Sequence, residues 1–79
     1  MSVALITGAA CGIGHATALA FARKGAQLVL CDVNSEELER TAAQVSEIST
    51  CLLARRVDIS KHEEVEAFAD EVHRLVPSL

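Results

Sequence analysis

Large aromatic side chains are nearly absent from this sequence. It contains no tryptophan, no tyrosine and only two phenylalanines among 79 residues, although 51% of the residues are hydrophobic. A buried core must therefore be built from Ala, Val, Leu and Ile, which suits helices packed on a sheet. A chain of this length has room for one small domain, which buries only about 60% of the surface that its unfolded chain exposes.

Clusters of basic residues are also missing. No run of Lys and Arg is longer than the pair Arg55 and Arg56, and the formal net charge is −4. Nucleic acids and anionic membranes bind basic surfaces, so neither is an expected partner. A small molecule or another protein is the expected partner.

Closely spaced cysteine pairs are missing too. Cys11, Cys31 and Cys51 are odd in number and far apart in the sequence. We therefore expect no disulfide framework and no metal site. Unpaired cysteines suit a reducing compartment, and we expect a cytoplasmic protein.

Charged residues are absent from residues 3–22, as they are from many secretory and membrane-spanning segments. However, no Lys or Arg precedes this run, and three glycines and His15 interrupt it where such a segment would be continuously apolar. We expect neither export nor membrane insertion.

Three strands and three helices are predicted to alternate. The strands are short runs of β-branched or aliphatic residues bounded by turn or cap residues: Val3–Thr7, Gln27–Cys31 and Cys51–Val57. The first helix is expected from Ile13 to Gly25. The second and third open at Asn34 and Ser60, because a glutamate follows each in the spacing of a capping box. Pro77 ends the third helix.

The order βαβαβα is that of the first half of a doubly wound parallel α/β sheet of the Rossmann type, with right-handed crossovers. The strands are uniformly apolar, which indicates burial on both faces. We expect residues 1–79 to form a partial dinucleotide-binding domain, truncated before the fourth strand. In the strand order 3-2-1-4-5-6 the first strand is central and pairs with the fourth. Without a fourth strand, the edge of the first strand that faces away from the second would be unpaired. Such an edge could pair with a second copy of the chain to form a homo-oligomer.

Gly8, Gly12 and Gly14 lie between the first strand and the first helix. Gly8 allows the turn, and the other two leave bare the N–H groups of the helix start, where the helix dipole attracts a pyrophosphate. Asp32 follows the second strand at the same sheet edge, where a carboxylate accepts both hydroxyls of an adenosine ribose and repels a 2′-phosphate. Ordinary turn and packing glycines are the competing interpretation; the surrounding strand, helix and acid favour the nucleotide site.

The loop TGAACGIG, from Thr7 to Gly14, resembles the T-G-x-x-x-G-x-G loop of the short-chain dehydrogenase/reductase family. The segments LVLCDVN and VDIS resemble the ends of the next two strands in that family, and the similarity extends from Val3 to about Val76. Three residues separate the first two glycines and one residue separates the second and third. In other dinucleotide folds the separations are one residue and then two, so the resemblance is specific.

This resemblance implies a cofactor site of nine residues: Gly8, Cys11, Gly12, Ile13, Gly14, Asp32, Val33, Asp58 and Ile59. In it, the loop would line the pyrophosphate and ribose, Asp32 would hold the adenosine ribose, and Val33 would lie beside the adenine. Asp58 and Ile59 would contact the adenine. The competing interpretation of Asp58 is that an acid directly after a strand only terminates it. NADP-preferring members carry a basic residue at the position of Cys11 or Val33, so the resemblance implies NAD.

The catalytic residues of the family are missing from these 79 residues. Family members carry an Asn-Asn-Ala-Gly-like segment, a catalytic Ser and a Tyr-x-x-x-Lys pair whose Tyr is the general acid/base. The resemblance therefore implies the N-terminal cofactor-binding part of an NAD-dependent oxidoreductase that acts on an alcohol or a carbonyl. The alternative is a non-catalytic, truncated nucleotide-binding or dimerising fragment.

Overall fold

The computed structural model of the chain describes residues 2–76, in which three strands and three helices alternate. In chain order they are β1 (Val3–Thr7), α1 (Gly12–Arg23), β2 (Gln27–Asp32), α2 (Ser35–Ile48), β3 (Thr50–Arg56) and α3 (His62–Leu75). Every predicted element is present, with ends that differ from the prediction by at most two residues. The predicted stop at Pro77 lies outside the described residues.

The strands pair in parallel in the order β1-β2-β3, so β2 is the central strand of the described sheet. At their carboxyl ends, Thr7 lies opposite Cys31, and Asp32 lies opposite Arg56. Parallel pairing brings these ends to one edge of the sheet, where the loops that follow β1 and β3 meet. The architecture is the Rossmann-type βαβαβα half that the sequence predicts.

β2 is buried on both faces. Leu28 and Leu30 pack with residues of α1 and α2 in one core cluster, while Val29 and Cys31 pack with Phe68 of α3 in a second cluster. Each of these four β2 side chains is at most 2% exposed. Burial of a Leu or Val side chain stabilises the fold by about 1.5–3 kcal/mol, so β2 is the centre of the core.

β1 and β3 are less buried than predicted. Both keep exposed residues along their length, so burial on both faces holds for β2 alone among the three strands described. Leu5 of β1 is 44% exposed. An apolar cleft of about 350 Å³ lies between Leu5 and the α3 residues Phe68 and Val72. Within residues 2–76, the outer edge of β1 has no partner strand, which accounts for this exposure.

The buried face of α1 consists of small side chains. Ala18 and Ala22 of α1 are at most 1% exposed, and Ala9 before the helix is fully buried. Side chains of this size let the helix lie close to the sheet. The first turn of α1 consequently lies beside the carboxyl ends of the strands.

The two later helices start differently. Asn34 caps α2 as predicted, with its Oδ1 accepting a hydrogen bond from the Glu37 N–H at 3.1 Å. The predicted cap of α3 at Ser60 is wrong, since the N-cap is Lys61 and no side chain bonds to that helix start. The N–H and hydroxyl of Ser60 instead donate to Asp58 Oδ1, at 3.0 and 2.6 Å. This local turn competes successfully with the helix for the serine.

Replacing Leu30 by Ala should lower the free energy of unfolding by about 2–5 kcal/mol, because the change empties a buried site in the central strand. Leu75→Ala is the matched control. Leu75 is 50% exposed, so its truncation should change the free energy by about 0.5 kcal/mol or less. Denaturant unfolding followed by circular dichroism measures both values. Equal losses would contradict a core centred on β2.

Candidate functional site

The glycine loop between β1 and α1 requires glycine for two separate reasons. Gly8 and Gly12 have φ angles of 64° and 50°, in the left-handed region that costs other residues about 1–2 kcal/mol. Gly14 is required for packing, since a Cβ there would lie 1.9 Å from the carbonyl oxygen of Gly8. The glycines therefore serve the turn and the packing of this loop. Because glycine has no side chain, they also leave the loop backbone uncovered.

Two backbone amides of the loop are bonded to the end of β2. The Ala9 N–H donates to the Cys31 carbonyl oxygen at 3.1 Å. The Ala10 N–H donates to Oδ2 of Asp32 at 3.0 Å. Both alanines are buried, so the middle of the loop is fixed against the sheet.

The start of α1 exposes backbone donors. Its N-cap is Cys11, whose exposed side chain makes no capping hydrogen bond, and the Gly14 N–H bonds to the Cys11 carbonyl oxygen at 3.1 Å. Within residues 2–76 the N–H groups of Gly12 and Ile13 have no hydrogen-bond partner. The first turn of α1 carries no acidic residue, so the positive end of the helix dipole remains uncompensated.

Asp32 joins several elements at the end of β2. Its Oδ2 accepts the Ala10 N–H, and its Oδ1 accepts the Asn34 N–H at 2.9 Å. Its carbonyl oxygen accepts the N–H of Val57, after β3, at 3.0 Å. The residue is only 9% exposed. A buried carboxylate requires such donors, because an unpaired charge is expensive to remove from water.

A cleft of about 180 Å³ opens beside Asp32. Five of the nine predicted site residues line it, together with Cys31 and Val57: Gly8, Asp32, Val33, Asp58 and Ile59. The other four predicted residues, Cys11, Gly12, Ile13 and Gly14, lie outside this cleft on the adjoining loop and helix start.

The side chains around the cleft differ in polarity. Val33 and Ile59 are 52% and 73% exposed, which leaves two apolar side chains at its rim. Cys31 forms part of the wall, and burial together with the neighbouring Asp32 charge raises the pKa of its thiol. A thiol held neutral in this way is a packing group here and is a poor nucleophile.

Asp58 is largely occupied by its own turn. One oxygen, Oδ1, accepts the hydroxyl and the N–H of Ser60, and these hydrogen bonds lower the pKa of the Asp58 carboxyl below its usual value. Its backbone N–H donates to Glu64 Oε1 at 2.9 Å. One oxygen of Asp58 thus takes part in a turn, and the residue also borders the cleft.

Sequence reasoning missed a contact between α1 and α2. The Thr41 hydroxyl donates to the Glu37 carbonyl oxygen at 3.2 Å, and its oxygen lies 2.8 Å from Nδ1 of His15. Thr41 and His15 are therefore hydrogen-bonded, and the His15 tautomer sets which of them is the donor. This bond fixes the first turn of α1 relative to α2. The two residues are 26 positions apart, and no local pattern links them.

The described residues contain neither a metal site nor a membrane-spanning helix. In residues 2–76, no three His, Cys, Asp or Glu side chains are placed to hold a metal ion. No helix in that part of the chain has the length and apolar character needed to cross a membrane.

Known proteins resemble this chain along nearly its whole length. A family model described as short chain dehydrogenase matches residues 2–79. A curated relative named NAD-dependent glycerol dehydrogenase, from Listeria innocua, is 43% identical over 77 residues, which cover 98% of this chain and 29% of that protein. The chain spans between 11% and 29% of the length of the first curated relatives that it matches.

Solved structures agree with this relationship. A short chain dehydrogenase/reductase from Burkholderia phymatum in complex with NAD has a TM-score of 0.89 and 35% identity, covering 99% of this chain and 28% of that one. An alcohol dehydrogenase from Thermococcus sibiricus complexed with 5-hydroxy-NADP has a TM-score of 0.85 and 37% identity, covering 96% of this chain and 33% of that one. The family match, the identities and the fold agree: this chain belongs to the short chain dehydrogenase family.

Proposed function

We propose that these residues bind the adenosine and diphosphate portion of NAD, as the N-terminal cofactor-binding part of an oxidoreductase that acts on an alcohol or a carbonyl. The observation that carries the proposal is that one fixed loop leads into the bare α1 amides and is bonded at Ala10 to a buried carboxylate, Asp32. When bound, the cofactor supplies a nicotinamide ring that accepts or donates the hydride.

The start of α1 suits the diphosphate. The N–H groups of Gly12 and Ile13 lack protein partners among residues 2–76, and they lie at the positive end of the helix dipole. Gly12 has no Cβ to block the approach of a phosphate to the backbone. The exposed Cys11 and Ile13 side chains flank this stretch, and Gly14 keeps the helix close to Gly8.

Asp32 suits the adenosine ribose. Each of its oxygens already accepts one backbone N–H, and a carboxylate oxygen has a second acceptor direction. Those remaining directions would receive the 2′- and 3′-hydroxyls, whereas a 2′-phosphate would meet the negative charge of Asp32. Cys11 and Val33 supply no cation to compensate that repulsion. NAD is therefore the proposed cofactor, and the name of the Listeria innocua relative agrees with it.

The cleft beside Asp32 suits the adenine ring. Val33 and Ile59 offer apolar surface at its rim, and a flat aromatic base gains from such contact. Asp58 borders the same cleft with one oxygen free of the Ser60 turn bonds, which would accept the exocyclic amino group of adenine.

The rest of the oxidoreductase would lie in segments that these 79 residues do not include. We propose that residues 1–79 form a partial dinucleotide-binding domain, that a fourth strand pairs with β1 in a longer chain, and that the catalytic acid lies beyond that strand. The three cysteines are free thiols, which favours a reducing compartment such as the cytoplasm.

NAD should bind the chain more tightly than NADP. Val33→Arg should raise the affinity for NADP relative to NAD by about tenfold or more, because a guanidinium beside the ribose would pair with the 2′-phosphate. Val33→Leu, which adds no charge, should leave the ratio unchanged. Isothermal titration calorimetry measures the four dissociation constants needed for each comparison. Tighter NADP binding by the unmodified chain would contradict the choice of NAD.

The 79-residue chain alone should produce no NADH from NAD and an alcohol, because it contains no tyrosine to serve as the acid/base. NADH absorbance measures turnover, with a full-length family member as the positive control. Measurable turnover would show that another group performs the proton transfer.

The coding sequence after Leu79 separates the two functional hypotheses, since a downstream Tyr-x-x-x-Lys supports an oxidoreductase and a stop codon supports a non-catalytic fragment.

The isolated chain should self-associate through the outer edge of β1, where Leu5 and the apolar cleft are exposed. Leu5→Lys should shift the chain toward monomer, because a lysine on an edge strand opposes pairing. Ile48→Lys is the matched control, since Ile48 is also 44% exposed but lies on α2. Sedimentation velocity measures the distribution. A monomeric, cooperatively melting unmodified chain would contradict the prediction.

A further inference from the structure

Among residues 2–76, Asp32 is the one side chain that accepts a hydrogen bond from the middle of the glycine loop. Among the described residues, the hydrogen bonds that reach the middle of the loop are Ala9 N–H to the Cys31 carbonyl oxygen and Ala10 N–H to Asp32 Oδ2. The Cys11 side chain makes no capping hydrogen bond to α1. The Asp32 carboxylate therefore holds the loop immediately before the bare α1 amides, alongside the backbone bond of Ala9 and the His15–Thr41 contact of the first turn of α1.

We propose that Asp32 is a positioning residue for the diphosphate site: its carboxylate holds the loop at Ala10 and so fixes the α1 amides that receive the phosphates. This inference rests on the proposed function and deepens it, because it gives Asp32 a role beyond the ribose contact. The bond joins residues 22 positions apart, and both groups are buried.

The second oxygen makes the support rigid. Oδ1 of Asp32 accepts the Asn34 N–H at 2.9 Å, and Asn34 in turn caps α2 through Glu37. The carboxylate is thus anchored on its own side of the sheet while its other oxygen reaches the loop. A hydrogen bond to a charged acceptor is stronger than one between neutral groups, which suits a contact that must hold a loop rich in glycine.

The double role has a consequence for cofactor choice. Removal of the Asp32 charge would relieve repulsion of a 2′-phosphate, but it would also release the loop that positions the diphosphate. A cation introduced at Val33 should therefore shift the preference toward NADP with less loss of overall affinity than removal of the Asp32 carboxylate.

The test separates the sugar contact from the loop contact with two probes. ADP carries the ribose hydroxyls, and 2′,3′-dideoxy-ADP lacks them but keeps the diphosphate. Asp32→Asn keeps the shape of the side chain but has one acceptor oxygen, so its amide group would oppose one of the two backbone N–H donors. Asp70→Asn, on the exposed side of α3, is the matched control.

Asp32→Asn should weaken binding of dideoxy-ADP by about tenfold, as well as that of ADP, because a neutral side chain with one acceptor oxygen holds the loop more weakly than the carboxylate does. Asp70→Asn should change neither affinity. An unchanged affinity for dideoxy-ADP alongside weakened ADP binding would overturn the proposal, since Asp32 would then contact the sugar alone.

Amide hydrogen exchange without any ligand gives a second measurement. In Asp32→Asn the Ala10 N–H should exchange about tenfold faster or more, while Leu28, in the core, should keep its protection. Unchanged exchange at Ala10, or equal loss of protection at Leu28, would overturn a role confined to the loop. Asp32→Glu keeps both carboxylate oxygens and should restore part of the Ala10 protection; no restoration would also count against the proposal.

These measurements also distinguish failure of the proposed function from failure of the positioning role of Asp32. An unmodified chain that binds neither ADP nor dideoxy-ADP would contradict the proposed function. The exchange rate at Ala10 would still decide whether Asp32 holds the loop, because that measurement requires no nucleotide.

Discussion

Burial of β2 on both faces is the constraint on which the rest of this structure depends. Because Leu28 to Cys31 are covered by helices on each side of the sheet, the residue that follows them, Asp32, is itself nearly buried. A carboxylate in that position must be satisfied by nearby donors. The donors available are backbone N–H groups of the glycine loop and of the turn into α2, so the core and the candidate site share one residue.

The glycine loop combines tight packing with an open surface. Gly14 lets α1 lie against the Gly8 carbonyl, and the buried alanines of the loop and helix bring the whole unit down onto the sheet. The Gly12 and Ile13 amides have no hydrogen-bond partner among residues 2–76, because the Cys11 side chain does not cap the helix. Packing requirements and ligand approach are therefore met by the same small residues.

Burial is uneven across the sheet of residues 2–76. β2 is covered on both faces, whereas an apolar cleft lies beside β1. The candidate nucleotide site is formed from elements that are all within residues 2–76. Its geometry is set by contacts among those elements, such as the hydrogen bonds of Asp32 to the Ala10 and Asn34 N–H groups.

Local sequence determined the elements and their order. Apolar runs predicted β1, β2 and β3, and the Asn34 cap and the glycine loop predicted two helix starts, because each signal lies within consecutive residues. The predicted parallel sheet also indicated that five residues after the strand ends would meet, since parallel strands end at one sheet edge. The structure places them at one cleft: Gly8, Asp32, Val33, Asp58 and Ile59.

Tertiary structure decided the partners. Packing alone set the bonds of Asp32 to Ala10 and of His15 to Thr41. Those contacts join residues 22 and 26 positions apart. Their formation depends on how closely the helices lie on the sheet, which no stretch of neighbouring residues encodes.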